Sequence, residues 1–194
     1  MKKIGLITMI AAAAISFAAC NSEPKDSKET ADSLNEIKDS TNTADSTSTM
    51  ASSEHDAEFA TEAAAGGMSE VEFGKAALTK STNAKVKEFA NMMVNDHGKA
   101  NQELMLIAKS KNISLPTTLD EKHQKALTDL NSKNGADFDK KYVDLMVDDH
   151  QKTLDLMEKQ SEHGMDAELT AFAKKTAPIV KAHLEMIKNI KKSM

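Results

Sequence analysis

Residues Val86 to Ile107 read VKEFANMMVNDHGKANQELMLI, and Val86, Ala90, Met93, His97, Ala100, Leu104 and Ile107 fall at steps of three and four. That spacing is the period of a helix with one apolar face. His97 stands in the middle of that face. The segment Met93-Val94-Asn95-Asp96-His97 is echoed downstream by Met146-Val147-Asp148-Asp149-His150, so a second helix carries the same device.

Working outward, three more runs show the same period. Phe59, Ala63, Gly66, Glu70, Phe73 and Ala77 form one, with Gly66-Gly67 predicting a kink and Ser69 with Glu72 a capped restart. Phe138, Tyr142, Met146, His150, Leu154 and Met157 form another, ending near Gly164. Asp166 is placed to cap the last, which holds Leu169, Ala173, Thr176, Val180, His183, Ile187 and Ile190, with a kink expected at Pro178. Ser81-Thr82-Asn83 is a short turn between the first two helices, and Pro116 is expected to end the second. Thr118-x-x-Glu121 predicts a shorter helix to about Lys133, stopped by Asn134-Gly135.

Four long helices of about 25 residues, roughly 38 Å each, joined as two hairpins by a long crossover with its own short helix, predict an all-α, ferritin-like four-helix bundle. An aromatic content of 4 % and twelve Met agree with helices over sheet. Asn83 to Ala90 also matches Asp166 to Ala173, which suggests hairpins related by a pseudo-twofold axis.

The N-terminal part has a different texture. Met1-Lys2-Lys3 and the apolar run Ile4 to Ala19 read as a signal peptide over residues 1–19, too short for a comfortable membrane span. Phe17-Ala18-Ala19-Cys20 resembles the bacterial lipoprotein signal, which implies lipidation of Cys20 and a membrane partner through that anchor. Asn21 after the cysteine resembles an outer-membrane sorting signal more than inner-membrane retention, so the expected place is the periplasm-facing outer membrane. Residues 20–53 follow, with thirteen Ser or Thr and seven acidic residues from Asn21 to Ser53, and are expected to be a disordered tether. The folded domain is then residues 54–194.

Charge and cysteine content exclude other classes. There are 25 basic residues, all lysine, against 30 acidic ones, a net charge of −5 that gives no footprint for nucleic acid. A single cysteine excludes a disulfide scaffold and a thiolate-cluster zinc site.

Each long helix puts one metal-competent side chain on its apolar stripe: Glu70, His97, His150 and His183. At about 1.5 Å per residue, all four fall in the middle third of the helices, where bundles build metal sites. Three imidazoles and a carboxylate suit zinc, copper or iron. The di-iron pattern Glu-x-x-His is missing, because the residues three before the histidines are Val94, Val147 and Val180. One ion is therefore expected, not a bridged pair. Asp96 and Asp149 stand ready to orient imidazoles, Met93 and Met146 share the histidine face as soft donors, and Tyr142 lies two turns before His150. His55, His123 and His163 lie at segment ends or on the short helix and read as surface residues.

With these residues in view, positions from about 56 to 190 resemble the family called domain of unknown function 4142. The match rests on Phe59, Glu70-Val71, Phe89-Ala90, Met93-Val94-x-Asp96-His97, Phe138-Asp139-x-x-Tyr142-Val143, Asp149-His150 and His183-Leu184. The resemblance implies a ferritin-like fold and an envelope location, and it implies no reaction. The leading expectation is a non-enzymatic envelope protein of stress or metal homeostasis holding one metal ion. Two alternatives stand beside it: a metal-dependent oxidoreductase, and a metal-free interaction module with an unidentified protein partner.

Overall fold

The computed structural model describes residues 26–42 and 54–194. Six helices make up this part: α1 Ser27–Asn42, α2 Glu54–Lys80, α3 Ala84–Ser110, α4 Glu121–Asn131, α5 Gly135–His163 and α6 Ala167–Lys192. Helices α2, α3, α5 and α6 form a four-helix bundle, with α2 packed on α3 and α5, and α6 packed on the same two. Cross-helix contacts fix the directions. Phe59 meets Phe172, Asp56 meets Gln160, and Glu103 meets Lys175, so every adjacent pair runs antiparallel. The end of α3 and the start of α5 therefore lie at opposite ends, and the crossover runs the length of the bundle, with α4 resting on α2 and α5. Among the described residues no helix is long and apolar enough to cross a membrane.

Local chemistry sets the helix ends, not always where the sequence pattern put them. Asn83 and Asp166 cap α3 and α6 by accepting from the backbone N–H groups of the first turn. The cap of α4 is Asp120, whose carboxylate accepts from His123 N at 2.7 Å, and not Thr118. Helix α3 stops before Pro116 is reached. Asn112 takes a φ of 57°, and Ile113 N donates to Ala108 O at 2.9 Å while Asn112 N donates to Lys109 O, the Schellman closure. Asn134-Gly135 starts α5 instead of ending α4, with Gly135 at a φ of 55° that favours glycine.

Helix α2 runs unbroken through Gly66-Gly67, and Ser69 does not cap a restart but donates to Gly66 O within the helix. The small residue at 67 serves close approach: a Cβ there would fall 2.1 Å from Asn101 Oδ1 of α3.

Two apolar clusters fill the bundle. One gathers Phe73, Phe89, Met93, Phe138, Tyr142 and Met146, and the other Phe59, Leu104, Met157, Phe172 and several alanines of α2. Glu70 and His97 lie between them along their helices, and His150 lies within the first.

The expected disorder of residues 20–53 fails over Ser27–Asn42, which form α1 on α2 and the crossover. The reason is polar. Asn35 exchanges two hydrogen bonds with the Ser114 backbone, 3.0 and 2.7 Å, and Lys38 donates to Asn112 O and Ser114 Oγ. Thr61 donates to Asp32 at 2.6 Å, Ser27 Oγ accepts from Thr117 N and Thr118 N, and Asp26 accepts from Glu121 N. Ala31 is the only buried apolar residue of the helix among those whose side chains are described. The signal peptide and Cys20 lie outside the described residues.

Candidate metal centre

Four buried side chains meet at mid-bundle, one from each long helix: Glu70, His97, His150 and His183. The three imidazoles form a triangle, with ring centroids 5.4, 5.5 and 5.7 Å apart. One ring nitrogen from each lies within 4.8 Å of the other two.

Each imidazole is also held by its far side. His97 Nδ1 sits 2.7 Å from Glu70 Oε2. His150 Nδ1 donates to Met146 O at 2.9 Å, one turn back in its own helix, and lies 3.4 Å from Glu70 Oε1. His183 Nε2 lies 3.3 Å from Asp96 Oδ2. The opposite nitrogens, His97 Nε2, His150 Nε2 and His183 Nδ1, are buried and have no hydrogen-bond partner. Burying a polar atom unpaired costs roughly 1–3 kcal/mol, so three at one place require an explanation. Carbonyl and carboxylate partners on one ring nitrogen fix the tautomer and leave the other lone pair free, which is how metal-ligating histidines are oriented. Tetrahedral or trigonal metal–nitrogen bonds of about 2.0–2.1 Å ask the rings to close in by about an ångström. The donor set fits one ion.

The electrostatics agree with the geometry. Burial alone would raise the Glu70 carboxyl, yet His97 and His150 facing it, with the His97 hydrogen bond, hold it down at about 2. Burial works against a charged His97, and the Glu70 carboxylate overcomes this and raises it. His150 is lowered by burial, against the pull of Glu70 and with the push of His97. His183 is drawn down to about 4 by burial and by the other two imidazoles. Glu70 thus favours the charged form of His97, whereas burial and the neighbouring imidazoles disfavour it at His150 and His183.

The other residues singled out in the sequence sort as follows. Glu70 lies behind His97 and His150 and also accepts from Thr153 Oγ1 at 3.4 Å. Asp96 orients an imidazole, that of His183 across the helix pair, not that of its neighbour His97. Asp149 makes no hydrogen bond to a histidine. It pairs with Lys152 at 3.6 Å, and burial and Glu70 raise its carboxyl. Met93 and Met146 are buried in the aromatic cluster. Tyr142 is buried too, stacked on Phe138 at 6.3 Å with a hydroxyl lacking a hydrogen-bond partner, and burial with Glu70 raises it far above its usual range. His123 is only partly exposed, with Nδ1 2.7 Å from Asp120 Oδ2. The sequence marked Phe89 only as part of the family resemblance and not as a site residue, yet its ring packs against those of His150, His183 and Tyr142 and closes one side of the cluster. Its place two turns before His97 on the same face was the available signal.

The chain is similar in fold to a solved DUF305 fragment from Deinococcus radiodurans, with a TM-score of 0.66 and 9% identity over 74% of this chain and 99% of that one. It is similar also to CopM solved in a Cu(I)-bound form, TM-score 0.61 and 13% identity, covering 71% of this chain and 96% of that one. CopM in a Cu(II)-bound form gives TM-score 0.60 and 14% identity over the same shares. At these identities the likeness speaks for the fold alone. No curated protein matches the sequence. The family model described as "Domain of unknown function (DUF4142)" matches residues 41–190, and the chain belongs to that family.

Proposed function

We propose that this protein binds a single transition-metal ion through His97, His150 and His183, with copper as the leading ion, and serves metal homeostasis in the bacterial envelope. One observation carries the reading: three buried histidines on three helices each keep a ring nitrogen without a hydrogen-bond partner, and one ring nitrogen from each lies within 4.8 Å of the others. Three neutral imidazoles with no carboxylate among them suit copper and zinc better than the hard cations. That CopM, similar in fold, has been solved with Cu(I), Cu(II) and silver supports copper. Glu70 and Asp96 orient ligands in this reading, and Glu70 supplies the negative charge that balances the cation.

Binding requires each coordinating ring nitrogen to be unprotonated. When bound, the ion would supply a cross-link between α3, α5 and α6, and these residues supply binding and orientation. The missing paired carboxylates remove the basis for a bridged di-iron oxidase, so a binding role is favoured over an oxidoreductase. The lipoprotein signal ending at Cys20 supports an outer-membrane anchor and a periplasm-facing domain. Elemental analysis of the full-length chain, exported by its own leader and carrying no polyhistidine tag, tests the metal. Near-stoichiometric copper that disappears in His97→Ala/His150→Ala is expected. A metal content that those substitutions leave unchanged contradicts the site.

A further inference from the structure

The metal centre is sealed on most sides. Glu70 and His150 are fully buried, and Phe89 covers the aromatic side. Among the described residues of the cluster, exposure rises at the seam between α3 and α6, where Asp96 meets His183. There the Asp96 side chain is 39% accessible, that of His97 8% and that of His183 4%.

Three contacts set the register of that seam. Glu103 meets Lys175 at 2.6 Å at one end, Asp96 meets His183 in the middle, and Lys85 reaches Ser193 at 3.5 Å at the other end. Met92 lies one turn before Asp96 and two turns after Lys85, on the same face of α3. Met186 lies one turn after His183 and two turns before Ser193, on the matching face of α6. The antiparallel register therefore brings Met92 and Met186 to one level, a single turn above Asp96 and His183.

Neither methionine is spent on the deep core. Met92 is half-buried at the rim of the aromatic cluster, and Met186 is 43% exposed. Met186 also lines a surface groove of 390 Å³ with Lys85, Asn189, Ile190 and Ser193. An exposed methionine side chain gains little from burial. Two at one level put thioether-bearing side chains on the seam one turn from Asp96 and His183.

We propose that the α3–α6 seam is the route by which the ion enters and leaves. Met92 and Met186 are transient soft ligands for a monovalent cation such as Cu(I) or Ag(I), and Asp96 with His183 is the gate. The inference rests on the metal site proposed above. Passage is ligand exchange alone: a metal–sulfur bond forms, a metal–nitrogen bond replaces it at His183, and the oxidation state is unchanged. Thioethers select soft cations, so the route distinguishes Ag(I) from Zn(II), whereas the three imidazoles accept both.

The test measures the rate and the amount of binding in the same samples of full-length protein. Stopped-flow loading and chelator-driven unloading are followed for Ag(I) and for Zn(II), in wild type, Met92→Leu/Met186→Leu, and Met105→Leu/Met165→Leu as a control at exposed methionines elsewhere. The seam variant is expected to slow Ag(I) in both directions by roughly tenfold or more, through loss of the soft donors. Its Zn(II) rates and its final Ag(I) stoichiometry should stay at the wild-type level. Wild-type Ag(I) rates in that variant, at full stoichiometry, overturn the route while leaving the metal site standing. Stoichiometry that His97→Ala/His150→Ala fails to lower overturns the site and the route together. Met186→Leu alone, at an exposed position, repeats the measurement if the double variant folds poorly, and is expected to show part of the slowing.

Discussion

Helices α1 and α3 flank the same crossover and are held in opposite ways. Helix α3 buries Val86, Phe89, Ala90, Met93, Leu104 and Ala108 in both apolar clusters. Helix α1 buries Ala31 and Asn35, and attaches by hydrogen bonds that Asp26, Ser27 and Asp32 accept, that Lys38 donates and that Asn35 both donates and accepts. Apolar burial contributes about 25 cal/mol per Å², whereas a hydrogen bond nets only about 0.5–1.5 kcal/mol against water. Helix α3 is therefore part of the cooperative unit, and α1 is a separable addition to it.

The sharpest way to break this contrast is at Phe89, fully buried among Tyr142, His150 and His183. Phe89→Ala should lower global stability by about 3–5 kcal/mol, measured by denaturant unfolding, and should loosen the metal site with it. A loss below about 1 kcal/mol would mean that the aromatic cluster does not organise the centre.

The next effect is that of the ion itself. Binding to the folded state alone adds about 2.7 kcal/mol at a hundredfold excess over Kd. A rise in thermal midpoint with copper that vanishes in His97→Ala/His150→Ala is expected. Because the ion would join α3, α5 and α6, hydrogen exchange should slow throughout the bundle and stay unchanged in α1. Equal slowing in α1 would contradict its independence.

Acid should act more mildly on the metal-free protein. His183 sits at about 4 in the fold, drawn down by burial and by His97 and His150, against an ordinary value of 6.5. A lowered histidine contributes stability that is complete above its unfolded value and is lost as pH falls from 6.5 toward 4. His97 is raised and works in the opposite sense, with a contribution present below 6.5 that is lost as pH rises through its folded value. The thermal midpoint is expected to decline from pH 6.5 to 4, and less steeply in His183→Gln. A slope unaltered by that substitution would assign the acid sensitivity elsewhere.

The smallest effect belongs to α1. Asn35→Ala removes both hydrogen bonds to Ser114, about 1–3 kcal/mol between them. It should speed amide exchange in α1 while leaving the midpoint of the bundle in place. A fall in that midpoint comparable to the effect of Phe89→Ala would make α1 part of the core.

These contrasts also explain what could be read from the chain. Four long helices and their polar centre were legible because each writes its buried stripe into the sequence at steps of three and four. Phe59, His97, His150 and Val180 all lie on such stripes and are all buried. Helix α1 was hidden because its apolar letters mislead: Leu34 and Ile37 are 46% and 61% exposed, and apart from Ala31 the side chains that hold it in place are polar. The partner of an imidazole was no more readable. Asp96 adjoins His97 in sequence but serves His183, since neighbours in a helix diverge by about 100° and the inter-helix register decides. For Glu70 the depth in the bundle was readable, and its pairing with His97 was not.

The position of α1 has one more consequence, about which way the molecule faces. Helices α2, α3, α6 and α5 follow one another around the bundle, and α4 covers the side between α2 and α5. The first turn of α1 is tied to that covered side, at Thr117, Thr118 and Glu121. The α3–α6 seam lies on the opposite side. From Cys20 to Asp26 the chain spans at most about 20 Å. With lipid on Cys20, as proposed, docked α1 would moor the domain by its crossover side, close to the bilayer. The seam would then look outward, toward whatever brings the ion and whatever takes it away.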